Sequence, residues 1–510
     1  MTARQQHLNQ ALLRIPRRAE SSDRNTLSAT YVTAGSFAAL LHSSDHQILY
    51  GRRGTGKTHA LLYLSELLAG TGDIPIYVDL RTIGSAGGLY TDSSVPAAAR
   101  GTHLLVDTLE AVHDELLAIA VEQDVADAAG LLSGLDALAE AATEVKVVGQ
   151  VERETTTSGS TEASGEVSVS SAPRLSASLR RSVTAESRLL RTGIESHHVL
   201  FGPLSRALRG ITGALGGARL WLLLDEWSSI PRDLQPFLAD LLRRSVLTIS
   251  GITVKIAAIE RRAQFARPSD AGDYLGIEVG SDAASAVNLD DFLAFDHGRA
   301  RAREFFAQLF HNHTLPRLST MIKDPPADPA TLIEEAFRRN AFAELVRAAE
   351  GVPRDAINIA ALAAQHAHNE PIAVADVRRA ARDWYLRDKQ TALRTNEAAQ
   401  ATLRALVDEV VGHRRARTFV VDQLASQRHG TIDDLHDARL VHLLRRGIAD
   451  PHRPGTLYDG FAIDYGCYVS LLLDEATFRV RDRSDWLNNP KGVPPEGFNL
   501  AKSAIDVDAL

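Results

Sequence analysis

Apolar residues along the chain follow two patterns: short continuous runs, and longer stretches in which apolar positions recur at helical spacing. Continuous runs are typical of strands buried on both faces of a parallel sheet. They occur at 47–50 (QILY), 74–80 (IPIYVDL), 220–225 (LWLLLD) and 252–259 (ITVKIAAI). Helical spacing follows the first run, where Leu61, Leu64 and Leu68 share one face. The alternation of strand and helix predicts the α/β fold class, with a doubly wound parallel sheet as the core.

The same patterns predict how the chain is divided. The predicted parts are an N-terminal segment, an α/β core with an insertion at 85–200, an all-helical part, a part with helices and a small hairpin, and a tail: 1–30, 31–300, 301–390, 391–475 and 476–510. Inside the insertion, 144–190 is rich in Ser and Thr, which indicates either a protruding β-hairpin or a flexible loop.

The fourth part has a mixed pattern. TIDDLHDARLVHLLRRG at 431–447 predicts a helix, and LYDGFAIDYGCYVSLLL at 457–473 predicts strand after a turn rich in Pro and Gly. The tail contains DWLNNPKGVPPEGFNL and predicts an extended or docking segment.

Composition narrows the class of protein. The chain has 510 residues, 45% hydrophobic and 24% charged, which is typical of a globular protein with several domains. Cys467 is the single cysteine, so a disulfide framework is excluded and a reducing compartment is favoured. No apolar run approaches the length of a membrane span, and the N-terminus lacks the apolar core of a signal peptide. We therefore expect a cytoplasmic protein with no membrane partner.

A glycine-rich loop directly after the first apolar run carries the strongest chemical signal. It matches the pattern G-x-x-x-x-G-K-[ST] of a phosphate-binding loop (Walker A) between a strand and a helix. The glycines let backbone N–H groups surround phosphate oxygens, and the N-terminus of the following helix favours the same anion. The residues predicted to bind nucleotide are Gly51, Arg52, Arg53, Gly54, Thr55, Gly56, Lys57, Thr58 and His59. Lys57 would reach the β and γ phosphates, and the Thr58 hydroxyl would bind Mg²⁺.

The alternative for this loop is a glycine-rich turn that carries a lysine by chance. Lys57 is the only lysine before Lys146 in a chain that otherwise uses arginine. That rarity, together with the flanking strand and helix, favours the phosphate-binding interpretation.

The run at 220–225 ends in two acids, a pattern of the Walker B type. The carboxyl end of a parallel strand lies beside the phosphate-binding loop, so Asp225 is predicted to hold Mg²⁺ directly or through water. Glu226 is predicted to orient and deprotonate the attacking water. Without the upstream loop, the same residues would more often be an ordinary strand end.

The run at 252–259 is followed by Glu260, Arg261 and Arg262. Arg261 or Arg262 is a candidate to sense the γ-phosphate, or to stabilise transition-state charge across a subunit boundary as an arginine finger. A solvated basic turn explains the two arginines equally well.

Together, GRRGTGKT, LLLDEW, IAAIERR and Gly351-Val352-Pro353-Arg354 resemble the AAA+ P-loop ATPases, in particular their initiator-like, origin-recognition branch, and more loosely the signalling STAND NTPases. In the initiator-like branch a G-x-P-R tetrapeptide opens a lid helix, and its arginine acts as sensor 2; here that residue would be Arg354. Members of that branch usually carry Asn, Ser or Thr as sensor 1 at the end of this strand. Here the strand is followed by Glu-Arg-Arg, which is closer to the arginine found at that position in STAND proteins.

The resemblance also implies an architecture and a set of ligands. It implies a P-loop NTPase core, a helical lid at 301–390, and a winged-helix-like domain at 391–475. ATP and Mg²⁺ are the implied ligands, and Tyr31, Val32 and Phe37 would line the adenine pocket. An arginine finger supplied by a neighbour implies a homo-oligomer or a complex with a partner ATPase.

The target of the C-terminal domain stays open between double-stranded DNA and protein. The net charge of −8 excludes a surface covered in phosphate-binding groups, so a DNA site has to be local. From residue 394 to 474 there are ten arginines against eleven acids. A basic face is still available from Arg414, Arg415 and Arg417, or from Arg445, Arg446 and Arg453, and the rival is a STAND-like switch that binds proteins.

Overall fold

The computed structural model describes eleven stretches of the chain. These are 3–19, 22–33, 37–83, 94–122, 126–143, 201–268, 274–283, 285–290, 299–424, 430–474 and 499–506. The hairpin or loop predicted at 144–190 lies outside the described residues.

A five-stranded parallel sheet forms the core, and four of its strands coincide with the predicted apolar runs. Its strands are β1 (Gln47–Tyr50), β2 (Ile74–Asp79), β3 (Leu220–Asp225), β4 (Ile252–Ala258) and β7 (Ser285–Asn288), in the order β2-β3-β4-β1-β7. The register places Tyr50 beside Ala258 and Asp79 beside Asp225. The carboxyl ends of β1, β2, β3 and β4 therefore meet along one edge.

Both faces of the sheet are covered. Along β3, Leu222 and Leu224 pack on one face with helices from the insertion, whereas Trp221 and Leu223 pack on the other face with the helix after β1. The helices of this domain are α2 (Arg24–Thr30), α3 (Phe37–Leu41), α4 (Lys57–Thr71), α5 (Ala97–Glu122), α6 (Ala128–Thr143), α7 (Phe201–Ala214) and α8 (Gln235–Ser245). A small hairpin of β5 (Ala266–Pro268) and β6 (Tyr274–Gly276) packs on α8.

The range predicted to be all-helical contains five helices: α9 (Arg299–Met321), α10 (Pro329–Ala336), α11 (Ala341–Ala349), α12 (Pro353–Ala367) and α13 (Val374–Trp384). The first helix of the chain, α1 (Ala3–Leu13), packs on α12 and shares its apolar cluster through Leu8 and Leu12. Part of the N-terminal segment therefore belongs to this helical layer. Turns of π-helix and 3₁₀-helix extend α13 to Leu393.

The C-terminal part combines helices with a four-stranded sheet in the order β11-β8-β10-β9. Its helices are α14 (Glu397–Leu406), which continues as π-helix to His413, α15 (Thr431–Asp437), α16 (Tyr465–Asp474) and α17 (Leu500–Ser503). Its strands are β8 (Thr418–Asp422), β9 (Val441–Ala449), β10 (Leu457–Ile463) and β11 (Ala504–Ile505). The last of these comes from the tail and pairs in parallel with β8.

Two local predictions in this part are wrong. The helix predicted over 431–447 ends at Asp437, because Arg439 adopts a left-handed backbone conformation (φ 60°) and 441–449 pairs with β10. The strand predicted over 457–473 ends at Ile463, and Tyr465–Asp474 is helical. Long-range strand pairing overrides the local pattern in the first case.

Candidate active site

The glycine-rich loop, residues 51–58, joins β1 to α4 at the carboxyl edge of the sheet. Gly54 (φ 86°) and Gly56 (φ 95°) both have the left-handed backbone that glycine accommodates without strain. A Cβ atom on Gly54 would lie 2.7 Å from the Cβ atom of Arg354, whereas a Cβ atom on Gly56 would meet nothing within 4 Å. The loop therefore curves tightly under α12 and is open at Gly56.

Lys57 is buried at the first position of α4, and its ammonium group is folded onto the loop. Its Nζ donates to the carbonyl oxygens of Gly51 (2.7 Å) and Arg52 (3.0 Å). Burial lowers the pKa of Lys57, and the nearby carboxylates of Asp225, Asp290 and Glu226 oppose that shift. The loop thus holds its lysine against its own carbonyl groups, where a phosphate would compete for it.

The two acids after β3 occupy different environments. Asp225 is 1% exposed and accepts hydrogen bonds from the Tyr77 hydroxyl (2.8 Å) and the Glu226 amide (2.7 Å). Glu226 follows in a left-handed conformation (φ 54°), uncommon for a residue with a side chain, which turns the chain out of the strand. Its carboxylate is partly exposed and lies 3.9 Å from the Arg81 guanidinium.

A cleft of about 380 Å³, here called the central cleft, lies between the glycine-rich loop, the strand ends and the helical layer. From the loop it is lined by Arg53, Gly54, Gly56, Lys57, Thr58 and His59, and across from them by Glu226 and Arg354. The structure therefore brings together most of the residues predicted for the site, from elements up to about 300 positions apart in the chain.

A smaller pocket of about 60 Å³ adjoins the central cleft. Tyr31, Val32 and Phe37 line it, as the resemblance implies for an adenine pocket, and the ring of Tyr31 stacks on Tyr63 with centroids 4.1 Å apart. The His59 ring faces this pocket and its Nε2 lies 2.8 Å from the carbonyl oxygen of Leu27. Apolar walls beside a phosphate-binding loop suit a flat base.

The helical layer reaches the loop through the first turn of α12. Pro353 starts the helix, and the Arg354 amide donates to the Gly54 carbonyl oxygen at 3.2 Å. The apolar face that the sequence predicts for this helix is buried: Ala356, Ile359, Ala360, Ala363 and Ala364.

The structure places the arginines after β4 away from the central cleft. Arg261 pairs with Asp433, and Arg262 pairs with Asp437 at 2.5 Å, both acids lying on α15 of the C-terminal part. Their assignment as γ-phosphate sensors or fingers stays a prediction. What lines the cleft at the end of β4 is Ile259.

The side chain of Arg52 points away from the central cleft, towards Asp290 and the C-terminal part. Its guanidinium is buried, with Nε 2.9 Å from Asp290 Oδ1 and Nη1 2.5 Å from His442 Nδ1. The Arg52 side chain therefore links the loop to β7 and to the C-terminal part, and it does not line the cleft.

Comparison with known proteins returns structural relatives only. The chain is similar to the crystal structure of CDC6P from Pyrobaculum aerophilum, with 12% identity and a TM-score of 0.32 over 90% of this chain and 99% of that one. It is also similar to the Aeropyrum pernix ORC1 protein in complex with DNA, with 14% identity and a TM-score of 0.30 over 89% and 97%. The sequence matches no family model and none of the curated proteins compared.

The α/β class is confirmed: a parallel five-stranded sheet with helices on both faces is followed by a C-terminal domain with a sheet of its own.

The donor groups fit a magnesium–nucleotide complex. Mg²⁺ in such sites takes one or two protein ligands and completes its shell with phosphate oxygens and water. Thr58 at the start of α4 and the buried Asp225 carboxylate supply that kind of set. Within the described ranges, no three His, Cys, Asp or Glu side chains cluster to hold a metal on their own.

Sequence reasoning missed several residues of the central cleft. Arg81 follows β2, Arg17 and Arg18 follow α1, and His313 comes from α9. Arg81 was within reach of prediction, because the carboxyl end of β2 lies at the same sheet edge as β3. The other three reach the cleft through tertiary packing that no local pattern indicates.

Proposed function

We propose that this chain is a Mg²⁺-dependent, cytoplasmic ATPase of the AAA+ type that hydrolyses ATP to ADP and phosphate. The proposal rests on one arrangement: a glycine-rich loop with its lysine, a buried Asp225, and Glu226 facing the same cleft as Arg354 of the helical layer. Carboxylates and cations around one cleft beside a glycine-rich loop are what phosphoryl transfer to water requires.

In this mechanism, Lys57 leaves the loop carbonyls and binds the β and γ phosphates, with backbone N–H groups of Gly54 and Gly56 beside it. Thr58 and Asp225 would hold Mg²⁺, which supplies charge neutralisation on the phosphates. Glu226 accepts the proton of the water that attacks the γ-phosphorus in line, and the bond to the β–γ bridging oxygen breaks. Arg354 stabilises the negative charge on the γ-phosphoryl group and ties it to the helical layer.

Glu226→Gln is the first test. The amide keeps the shape of the side chain but cannot take a proton, so ATP binding should be retained while steady-state hydrolysis falls by about a hundredfold or more. Lys57→Ala should instead remove binding, measured with a fluorescent ATP analogue.

Glu278→Gln, in an exposed turn after β6, serves as the matched control and should hydrolyse ATP like the wild type. Wild-type hydrolysis that persists in Glu226→Gln would remove Glu226 from the mechanism. Undiminished binding in Lys57→Ala would refute the phosphate-loop assignment.

We further propose that the C-terminal part is a winged-helix-like domain, whose docking on the core responds to the nucleotide. The order of α14, β8, α15 and the β9–β10 hairpin supports this assignment. In the family that the motifs resemble, such a domain serves a DNA-associated ATPase that assembles as an oligomer, and we propose the same role here.

One observation favours the second candidate, a STAND-like switch that binds proteins. Among the arginines available for DNA, Arg417 pairs with Glu350, and Arg446 pairs with Glu260 at 2.5 Å. Helix α15 also carries acids at Asp433, Asp434 and Asp437. DNA binding through these arginines requires the pairs to open.

Hydrolysis measured with and without double-stranded DNA, at low and moderate salt, separates the two candidates. Stimulation that needs both DNA and low salt supports the DNA-associated ATPase, because phosphate contacts weaken steeply with salt. Glu226-dependent hydrolysis that ignores DNA supports the protein-binding switch.

A further inference from the structure

A chain of buried polar side chains leads from the glycine-rich loop into the C-terminal domain. Arg52 Nη1 contacts His442 Nδ1 at 2.5 Å, and His442 Nε2 contacts Asp464 Oδ2 at 2.9 Å. His442 is 2% exposed and Asp464 1% exposed. His442 lies at the start of β9, and Asp464 directly follows β10. Through Arg52, the glycine-rich loop therefore contacts the C-terminal sheet.

The chain continues from Asp464 back to the helical layer. Lys389, itself 1% exposed, contacts Asp464 Oδ2 at 2.5 Å and Asp355 Oδ2 at 2.8 Å. Asp355 is fully buried and also accepts from Trp384 Nε1 at 3.0 Å and pairs with Arg439. Buried charges of this kind are stable only when each has its partner, so the members hold one another in place.

The two ends of the chain meet at the glycine-rich loop. Asp355 follows Arg354, whose amide donates to the Gly54 carbonyl oxygen, and Arg52 is two positions before Gly54. The path from Arg52 through the C-terminal domain to Asp355 therefore returns to the loop from which it starts. A shift of the C-terminal sheet would therefore change the positions of the glycine-rich loop and of the first turn of α12 together.

The chemistry of His442 fixes the direction of its hydrogen bonds. The guanidinium of Arg52 can only donate, so Nδ1 has to carry a lone pair, and Nε2–H then donates to the Asp464 carboxylate. Burial lowers the pKa of His442 to about 3, and Asp464 opposes that shift less strongly, so the ring is neutral at pH 7. A protonated ring would place a cation against Arg52.

We propose that His442 is a positioning residue for ATP turnover, which acts on the catalytic cleft from the C-terminal domain through Arg52 and through Asp464, Lys389 and Asp355. This inference rests on the proposed ATPase function. Under this proposal, fast hydrolysis requires the C-terminal domain to be docked. The contacts from Arg52 to Asp355 hold the glycine-rich loop and Arg354 in the positions from which both reach the γ-phosphate. Nucleotide binding itself uses groups that face the cleft and does not need His442.

The test compares His442→Leu with His442→Gln in the full-length protein. Leucine removes both hydrogen bonds, whereas a glutamine amide can accept from Arg52 and donate to Asp464. The matched control is His452→Gln, which makes the same change at an exposed histidine of the same domain. The measurements are kcat for ATP hydrolysis, Kd for a fluorescent ADP, and amide hydrogen exchange of β9 with and without ADP.

We expect kcat of His442→Leu to fall by about tenfold to a hundredfold, the cost of a catalytic group displaced by about 1 Å. The Kd for ADP should stay close to the wild-type value, and His442→Gln and His452→Gln should keep most of kcat. ADP should slow amide exchange in β9 of the wild type and leave it unchanged in His442→Leu.

Equal kcat in all variants would overturn the proposal, as would a parallel loss of kcat and ADP binding, which indicates support of the fold alone. The exchange measurement needs ADP binding but no hydrolysis. If the wild type lacks Glu226-dependent hydrolysis, the proposed ATPase function fails, and the response of β9 to ADP still decides whether His442 couples the domain to the loop.

Discussion

Gly54 is the residue at which the glycine-rich loop and helix α12 touch. Its left-handed backbone, and the short distance that would separate a Cβ atom at this position from Arg354 Cβ, leave room for a hydrogen atom only. Gly56 has the same backbone conformation but faces open space. A comparison of alanine substitutions at Gly54 and Gly56 therefore separates the cost of backbone strain, which both share, from the cost of the steric clash with Arg354, which only Gly54 has.

Gly56→Ala should lower the free energy of unfolding by about 1–2 kcal/mol, the cost of a left-handed L-residue. Gly54→Ala should lower it by about 2–4 kcal/mol, since overpacking against Arg354 adds to the same strain. Urea denaturation without nucleotide measures both. Equal losses would mean that α12 moves away from Gly54 freely and that the contact with Arg354 is not a constraint.

At the residue scale, the sequence predicts which side chains lie together where a local motif places them, and it does not do so where a contact depends on a distant partner. Five loop residues (Arg53, Gly54, Gly56, Lys57 and Thr58) line the central cleft with Glu226, because a strand, a turn and a helix place them there. Arg262 and Asp437 are 175 positions apart, and Arg52 and His442 are 390 positions apart. A single sequence holds no signal for such pairs.

At the scale of elements, the turn after β4 and helix α15 form a charged contact between the core and the C-terminal domain. Two arginines on the core face two aspartates on α15, and Glu260 of the same turn pairs with Arg446 of β9. Each of the two surfaces carries both arginine and acidic side chains, and each charge faces an opposite charge on the other surface. Such complementarity fixes the register of two surfaces more than it adds affinity.

Charge exchange at Arg262 and Asp437 tests this contact. Arg262→Asp or Asp437→Arg alone should lower the melting temperature by several degrees, and the double variant should recover part of it, since Arg53 and Arg261 also face position 437. Reversal of the exposed pair Arg338 and Glu370 is the control and should have little effect.

The same variants examine the sensor assignment. If Arg262 only docks the domain, the double variant regains ATP hydrolysis together with stability. Recovery of stability without hydrolysis would favour a role for Arg262 in reading the γ-phosphate.

The elements themselves were predictable in the core and less so in the C-terminal domain. Four of the five core strands coincide with predicted apolar runs, a pattern that follows from burial on both faces, whereas β7 (SAVN) carries no such run. Strand β9 (VHLLRRGIA) has two apolar residues followed by two arginines, a grouping that also suits a helix. Only its pairing with β10, across a turn, decides between the two.

At the scale of the whole molecule, two buried histidines, His442 and His436, and the half-buried His313 should make the fold sensitive to acid. Burial lowers the pKa of His442 to about 3 and of His313 to about 4, and places that of His436 well below its ordinary value. In the unfolded chain these rings titrate near 6.5 and take up protons that the folded state excludes. Stability contributed this way is present above that pH and is lost as the pH falls towards the folded-state values.

The free energy of unfolding should therefore be lower at pH 5.5 than at pH 7.5, by about 1.4 kcal/mol for each ring that stays neutral in the folded state. Urea denaturation at the two pH values measures the difference. His442→Gln should reduce it by about 1.4 kcal/mol. A difference that the variant leaves unchanged would mean that His442 is protonated in the folded protein.

No helix among the described residues is both long enough and apolar enough to cross a bilayer. The bulk of the apolar surface is instead divided among the sheet, the helical layer and the C-terminal domain, each with its own cluster. The parts of the chain that contain these clusters are connected by polar contacts of Arg52, Asp355 and the turn after β4.

Arg17, Arg18, Leu27 and Thr30 line one wall of the central cleft, yet α1, which precedes them, is anchored in the helical layer. The wall is thus attached to the layer that also carries Arg354, and the opposite wall belongs to the sheet. In the ATPase proposed above, a nucleotide in the cleft would contact both walls, so a motion that separates them would withdraw Arg354 and open the way for ADP to leave. Release of ADP would then set the pace of the cycle, and a partner that pulls on α1 would act as an exchange factor.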